Sequence, residues 1–261
     1  MTLHLRWAAG TDQGHVRSNN EDCYFAGDHL LVVADGMGGM AAGDLASRLA
    51  IDAMTPLDVP IDNDQQMDAL HQALEAANGL IAEQVAADNS LQGMGTTLTA
   101  VIFSGTRAAM AHVGDSRAYL LRDGRLNQLT KDDTYVQMLV DQGLISPDEA
   151  AGHPRRSVVT RVLQGEPVSP SYVIVEPEPG DRWMLCSDGL TAVVTNETIE
   201  QEMLAAADPK SCTERLIDLA LRGGGPDNVT VLVGDLVPVG ADIDADSTPP
   251  ADGTAPALAA D

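Results

Sequence analysis

The chain has 261 residues, of which 44% are hydrophobic and only 3% aromatic, and a formal net charge of -24 at pH 7. This length suffices for one large domain or two small ones with a full core, built here from aliphatic residues. The acidic charge excludes nucleic acid and anionic membrane as main partners, because both bind basic surfaces.

Cysteine content and hydropathy indicate the compartment. Three cysteines, without a C-x-x-C spacing, make a disulfide scaffold or a zinc site unexpected. Residues 1–10 lack a signal-peptide pattern, and no run approaches the roughly 18 apolar residues of a membrane span. No large apolar interface is evident. We therefore expect a soluble, cytoplasmic monomer that does not bind membranes.

The first half of the chain is predicted to contain a strand block, a helix pair and a second strand block. Turn residues separate three strand-like runs, at 3–11, 22–27 and 29–35. Helices are predicted at about 40–54 and 64–88. The second has one apolar face, formed by Met67, Leu70, Leu74, Ala77, Ile81 and Val85. Four more strands are predicted at 96–104, 107–114, 116–122 and 125–130.

The second half begins with a long polar segment, 131–165. Val136, Leu139 and Val140 have helical spacing there, which favours an ordered element over a disordered insert. The remaining predicted elements are strands at 171–176 and 181–187, helices at 196–206 and 209–222, and a strand at 228–237. Strands and helices thus come in blocks, which predicts an α+β fold with antiparallel sheets covered by helix pairs. Residues 239–261 are predicted to form a disordered acidic tail.

Four aspartates lie where an apolar run meets a glycine or a polar loop: Asp35, Asp115, Asp188 and Asp227. A carboxylate at the end of a buried strand is costly to desolvate unless it is paired or bound to a cation. Gly36 directly follows the first of them and leaves room for a close-approaching ion. No lysine lies nearby in sequence, so the pattern indicates a shared cation.

The candidate ligands are all oxygen atoms, with Glu21 and Asp22 as further acids. Such donors suit Mg²⁺ or Mn²⁺, and a pair of ions can activate a shared water toward phosphorus or a carbonyl. Arg17 precedes both acids and favours phosphorus, because arginine binds phosphate bidentately. The alternative is an Arg17–Glu21 surface ion pair, which would contribute little.

Six motifs in order resemble the metal-dependent protein phosphatase family, the type 2C serine/threonine phosphatases, in their compact bacterial form. They are Asp12-x-Gly14-x-x-Arg17-x-x-Asn20-Glu21-Asp22, Ala34-Asp35-Gly36-Met37-Gly38-Gly39, Gly95-Thr96-Thr97, His112-Val113-Gly114-Asp115-Ser116-Arg117, Ser187-Asp188-Gly189-Leu190 and Gly225-Pro226-Asp227-Asn228. A single Asp-Gly pair is more often a turn, whereas six motifs in register are specific. The resemblance implies a four-layer α-β-β-α sandwich, with a catalytic domain at 1–238 and a flap at about 131–165.

The resemblance also implies roles for the acids. Asp35 would bridge two catalytic Mn²⁺ or Mg²⁺ ions, and the Gly36 carbonyl would contact the second. Asp188 and Asp227 would complete the first site, and Asp115 with Asp188 would hold a weaker third ion.

Other residues would serve the second ion, the substrate and the surrounding structure. Glu21 and Asp22 would act on the second ion, directly or through water. Arg17 would bind the substrate phosphate, so that Arg17, Asp35 and Asp188 form the catalytic set. Asp12 and Thr97 would support the site.

Two positions depart from the family pattern. Met37 stands where eukaryotic members have a histidine, so no imidazole can act there as general acid. Asp133-Thr134 replaces a common His-Ser pair in the flap. In the same segment, Arg155 and Arg156 would either steer a phosphopeptide or form a solvated basic pair.

The leading hypothesis is a phosphatase that hydrolyses phosphoserine and phosphothreonine by attack of a metal-bridging water. It would oppose bacterial serine/threonine kinases and act on phosphorylated proteins. One alternative is a phosphatase-like module that binds phosphorylated partners without turnover. Another is an acidic calcium-binding structural protein, although the chain lacks the EF-hand loop spacing.

Overall fold

The computed structural model describes residues 3–38 and 42–239. Its strands are β1 (Leu3–Asp12), β2 (Asp22–Ala26), β3 (Leu30–Met37), β4 (Gly95–Thr96), β5 (Leu98–Ser104), β6 (Arg107–Val113), β7 (Arg117–Arg122), β8 (Arg125–Gln128), β9 (Ser171–Val175), β10 (Arg182–Cys186) and β11 (Val229–Pro238). Its helices are α1 (Ala42–Met54), α2 (Gln66–Ala87), α3 (Tyr135–Asp141), α4 (Pro147–Ala151), α5 (Asp188–Thr191), α6 (Asn196–Ala205) and α7 (Pro209–Arg222).

The strands form two antiparallel sheets. One has the order β1-β11-β10-β7-β8, and the other has the order β2-β3-β5-β6-β9 with β4 paired to β3. Helices α1 and α2 pack on the second sheet, while α6 and α7 lie on the first. The predicted four-layer sandwich is confirmed.

The position of strand β3, between the other sheet and the helices, explains why its sequence is a continuous apolar run. Leu31 and Val33 face the other sheet, whereas Leu30, Val32 and Ala34 face α1 and α2. Successive side chains of a strand point to opposite faces, so a strand buried on both sides is apolar throughout. This burial fixes the position of Asp35, the first acidic residue after the run.

The observed elements differ from the predicted ones mainly at their ends. The strand predicted at 96–104 is divided at Thr97 into β4 and β5, and the short helix α5 was not predicted. The flap contains two helices: α3, as the spacing of Val136, Leu139 and Val140 indicated, and α4, which that spacing did not predict. The tail at 240–261 and the first residues of the helix predicted from 40 lie outside the described residues. Among the described residues, no helix has the length and apolar character needed to cross a bilayer.

Candidate active site

The acidic residues meet at one end of the sandwich, between the two sheets. Asp35 belongs to β3, and Asp115 lies in the turn that connects β6 of the same sheet to β7 of the other. Asp188 and Asp227 adjoin β10 and β11 of that other sheet. A cleft of about 310 Å³ lies there. Its lining includes Arg17, Glu21, Asp35, Gly36, Asp115, Asp188 and Asp227. Every predicted site residue lines this cleft except Asp22, which is buried beside it, opposite Asp35.

Asp35 is held through its backbone by Thr97. The Asp35 N–H donates to Thr97 Oγ1 at 2.9 Å, and the Thr97 N–H donates to the Asp35 carbonyl at 2.9 Å. Thr97 Oγ1 also shares a 2.8 Å hydrogen bond with Ser116 Oγ. Gly114 packs against the same threonine with φ of 109°, and a Cβ there would lie 2.6 Å from Thr97. Thr97 thus connects the backbone of Asp35 to the turn that carries Asp115.

Asp22 is a buried carboxylate with one satisfied and one unsatisfied oxygen. Its Oδ2 accepts hydrogen bonds of 2.7 Å from both Ser187 Oγ and Thr230 Oγ1. Its Oδ1 is buried and has no hydrogen-bond partner. Asp22 lies directly opposite Asp35 in the β2–β3 pair, so the two side chains extend from the same face of the sheet. An unpartnered buried carboxylate oxygen is costly and calls for a cation or its bound water.

Arg17 makes an ion pair with Asp227. Its Nη2 donates to Asp227 Oδ2 at 2.7 Å, while the Asn228 N–H donates to Asp227 Oδ1 at 2.9 Å. Glu21 Oε1 instead accepts from Asn19 Nδ2 at 3.2 Å. The alternative Arg17–Glu21 pair is therefore wrong, because Arg17 pairs with Asp227, which precedes β11, the neighbour of β1 in the same sheet.

Burial and mutual repulsion raise the pKa values of the clustered acids. Desolvation is the largest cause of the higher pKa in each case. The charges of neighbouring carboxylates raise the pKa further, whereas hydrogen bonds to some of these acids lower it. The pKa rises to about 7 for Asp22, about 8 for Asp115 and about 6 for Asp188. The pKa of Asp35 lies well above its ordinary value. At neutral pH the cluster cannot ionise fully without a compensating positive charge.

The donor set fits hard divalent cations. Every candidate ligand is an oxygen, Asp22 Oδ1 lacks a partner, and the acids repel one another. Among the described residues, no group of three or more Asp, Glu, His or Cys side chains is already arranged to hold a metal ion. Asp22 and Asp227 are instead engaged by protein donors.

Gly36 provides close backbone approach beside Asp35. A Cβ at this position would collide with the Gly43 carbonyl and would lie 2.7 Å from the Glu21 carbonyl oxygen. The Gly36 N–H already donates to that Glu21 carbonyl at 3.1 Å. Only glycine fits between these two backbone segments, so the wall of the cleft at Gly36 consists of main chain.

The flap is fixed to the site at its first residues. The buried Asp133 carboxylate accepts a 3.0 Å hydrogen bond from the Gly114 N–H and forms an ion pair with Arg161. Arg117 donates two hydrogen bonds, of 2.9 and 2.7 Å, to Asp132. Thr134 caps the N-terminus of α3. Asp133 therefore connects the flap to the turn before Asp115, while Thr134 starts its first helix.

Some residues that build the site were not predicted to do so from the sequence. Asn228 holds the loop between β1 and β2: its Oδ1 accepts from the Glu21 N–H, and its Nδ2 donates to the carbonyls of Gln13 and Asn19. The available signal was its place directly after Asp227 in the Gly225-Pro226-Asp227-Asn228 motif. Ser157 lines the cleft together with Val159, and no local pattern indicated either of them.

A larger cavity, of about 910 Å³, lies at the opposite end of the sandwich. Leu3 and Leu236 line it, whereas the cleft lies near the other ends of the same strands, at Asp12 and Val229. The larger cavity has three aspartates but no arginine in its lining. The smaller cleft is the one with the chemistry of a reactive site.

A family model described as protein phosphatase 2C matches residues 9–219. The chain belongs to the protein phosphatase 2C family. The family and the fold expected from the six motifs are thus confirmed.

Two relatives in the protein phosphatase 2C family differ in length. The serine/threonine protein phosphatase PstP of Mycobacterium tuberculosis is 53% identical over 237 residues, which cover 91% of this chain and 46% of that protein. The protein phosphatase PhpP of Streptococcus pneumoniae is 36% identical over 234 residues, covering 85% of this chain and 93% of that protein. The chain therefore spans less than half the length of the mycobacterial relative and nearly all of the streptococcal one.

Solved structures of the mycobacterial protein phosphatase 2C relative are similar to this fold. One has a TM-score of 0.89 at 52% identity, covering 90% of this chain and 100% of that one. Another, the PstP catalytic domain in complex with two manganese ions, has a TM-score of 0.86 at 51% identity, covering 91% and 100%.

Proposed function

We propose that this chain is a metal-dependent protein phosphatase that hydrolyses phosphoserine and phosphothreonine esters in proteins. The observation that carries the proposal is one cleft lined by five carboxylates and a single arginine, Arg17. The names of two relatives, the serine/threonine protein phosphatase PstP and the serine/threonine phosphatase stp of Listeria welshimeri, support the substrate class. The two manganese ions of the mycobacterial structure support Mn²⁺ or Mg²⁺ as cofactor.

The cleft residues are proposed to divide between ions and substrate. Asp35 would be shared by two ions, with the Gly36 carbonyl on the second and Asp188 and Asp227 on the first. Asp115 with Asp188 would hold a weaker third ion. Glu21 and Asp22 would act on the second ion, with the unpartnered Asp22 Oδ1 supporting a role through water.

Bound ions would supply a water of lowered pKa and neutralise charge on the phosphoryl oxygens. Arg17 is proposed to leave Asp227 and bind the phosphate, because a guanidinium can donate two parallel hydrogen bonds to it. Water adds to phosphorus as the ester P–O bond breaks, which releases inorganic phosphate and the serine or threonine hydroxyl. Met37 has no proton to donate, so a water held at the ions would have to supply the proton for the leaving alkoxide.

We further propose phosphorylated proteins, including serine/threonine kinases, as partners of a monomeric catalytic domain at residues 1–238. The net charge of -24 supports the exclusion of nucleic acid and anionic membrane. Cys23, Cys186 and Cys212 are free thiols, as is usual in a reducing compartment. This supports a cytoplasmic location.

The test is hydrolysis of p-nitrophenyl phosphate and of a phosphothreonine peptide by the full chain, with EDTA, Mg²⁺ or Mn²⁺. We expect turnover only with added metal, and an Arg17→Ala variant with a higher KM for both substrates. Binding of the phosphopeptide without turnover in any metal would favour the alternative, a phosphate-binding module. Arg125→Ala, which removes an exposed arginine from the far end of β8, is the control for loss of charge.

A further inference from the structure

The flap presents two arginines that have no acidic partner in the described part of the chain. Ten of the fifteen lysine and arginine side chains form ion pairs with described carboxylates. Arg155 and Arg156 do not, and both are exposed. In a chain with 39 acidic residues and a net charge of -24, two adjacent arginines free of such pairs are unusual. They are available to an anion from outside the protein.

The turn that carries these arginines is held in place by specific contacts. The Arg155 guanidinium lies over the Tyr135 ring, 5.5 Å from its centroid, and the His153 ring lies 6.1 Å from the same centroid. The Arg155 N–H donates to His153 Nδ1 at 3.0 Å, and the Tyr135 N–H donates to the Val158 carbonyl at 2.8 Å. Stacking on an aromatic ring restricts the guanidinium and leaves its edge N–H groups available.

The same turn forms part of the wall of the catalytic cleft. Ser157 and Val159 line the cleft with Arg17 and the aspartates, and Ser157 directly follows Arg156. Consecutive Cα atoms are about 3.8 Å apart, so the backbones of both arginines lie within about 8 Å of Ser157. A substrate chain entering the cleft would therefore place residues adjacent to its phosphorylated side chain beside the two arginines.

We propose that Arg155 and Arg156 form a second anion-binding subsite, which takes an acidic group close in sequence to the scissile phosphate. The ligand is a phosphoryl or carboxylate group on a neighbouring residue of the same protein substrate. The phosphatase would then prefer phosphoproteins that are phosphorylated at closely spaced positions or are acidic near the phosphorylated residue. This inference rests on the proposed function and narrows its substrate class.

Steady-state kinetics on four phosphothreonine peptides test the subsite. One peptide is neutral around the phosphothreonine, one has glutamates within three positions on both sides, and two have a second phosphothreonine two positions before or after the first. We expect kcat/KM roughly three- to tenfold higher for at least one acidic peptide, because a charge-assisted pair at a partly exposed site is worth about that factor. The gain should appear in KM and shrink at high salt. The glutamate peptide distinguishes a carboxylate from a phosphate as the preferred group.

Variants separate the subsite from the catalytic cleft. An Arg155→Ala/Arg156→Ala double variant should lose the preference and keep its turnover of p-nitrophenyl phosphate. The double lysine variant should keep part of the preference, and Arg125→Ala should keep all of it. Equal kcat/KM for the four peptides in the unmodified chain, or a preference that survives the double alanine change, would overturn the proposal. Absence of p-nitrophenyl phosphate turnover in the unmodified chain would instead refute the proposed function itself.

Discussion

Replacing Asp188 by asparagine should make the metal-free protein more stable, although the residue is proposed to bind metal. Burial, followed by the charge of Asp227, raises the pKa of Asp188 from an ordinary 3.8 to about 6. At about 1.4 kcal/mol per pH unit, holding it ionised at pH 7.5 costs roughly 3 kcal/mol of unfolding free energy. Asp188 faces the cleft, and part of its unfavourable energy is repulsion with Asp227. We therefore expect the change to asparagine to raise the free energy of unfolding by about half of those 3 kcal/mol.

The pH dependence has a definite sign. A carboxyl whose folded-state pKa is raised lowers stability above that pKa, and this cost disappears as the pH falls toward the unfolded value. The Asp188→Asn variant should therefore melt about 3–6 °C higher than the unmodified chain in EDTA at pH 7.5, at about 2–4 °C per kcal/mol. The difference should become small near pH 4.

Differential scanning calorimetry in EDTA and in Mn²⁺ measures both effects. With Mn²⁺ the order should reverse, since a ligand stabilises the folded state more strongly the more tightly it binds. Asp123→Asn is the matched control, because Asp123 lies in the β7–β8 turn with φ of 52°, which asparagine tolerates. A metal-free Asp188→Asn variant that melts lower than the unmodified chain at pH 7.5 would refute the idea of repelling carboxylates.

Two further substitutions test the supports of the site. Ser187→Ala removes a hydroxyl that donates to buried Asp22, so the unfolding free energy in urea should fall by about 2 kcal/mol; an unchanged midpoint would contradict that contact. Gly114→Ala places a Cβ 2.6 Å from Thr97 at φ of 109° and should cost about 2–4 kcal/mol together with most of the metal-dependent turnover. Gly124→Ala, at φ of 74° in open space, is the matched control and should keep full turnover.

The fold was largely predictable because most of its helices and strands have a local spacing of apolar residues that predicts their type. The apolar run before Asp35 is long enough for a strand and too short for a helix, and the one-sided stripe of α2 has a clear period. Block order then excludes a parallel sheet. Leu31 and Val32 belong to two different cores, on opposite faces of β3. Which residue faces which core depends on how the strands pair, and the local sequence does not specify that pairing.

The site was predictable in its residues but not in its contacts. Aspartates at strand ends identify the cluster, whereas the partners of Asp22 lie far away in sequence, at Ser187 and Thr230. Arg17 has an acid four residues away, yet it pairs with Asp227, 210 positions along the chain. Local spacing cannot rank such partners, because the choice depends on which strands the fold brings together.

Manganese-dependent hydrolysis of a phosphothreonine peptide, measured for the unmodified chain and for Asp35→Asn, tests the central claim most directly. Asparagine keeps the shape of the side chain and removes the charge that two ions are proposed to share. The account predicts turnover that rises with Mn²⁺ in the unmodified chain and falls by at least about a hundredfold in the variant. Comparable turnover in both proteins, or turnover that persists in EDTA, would contradict it.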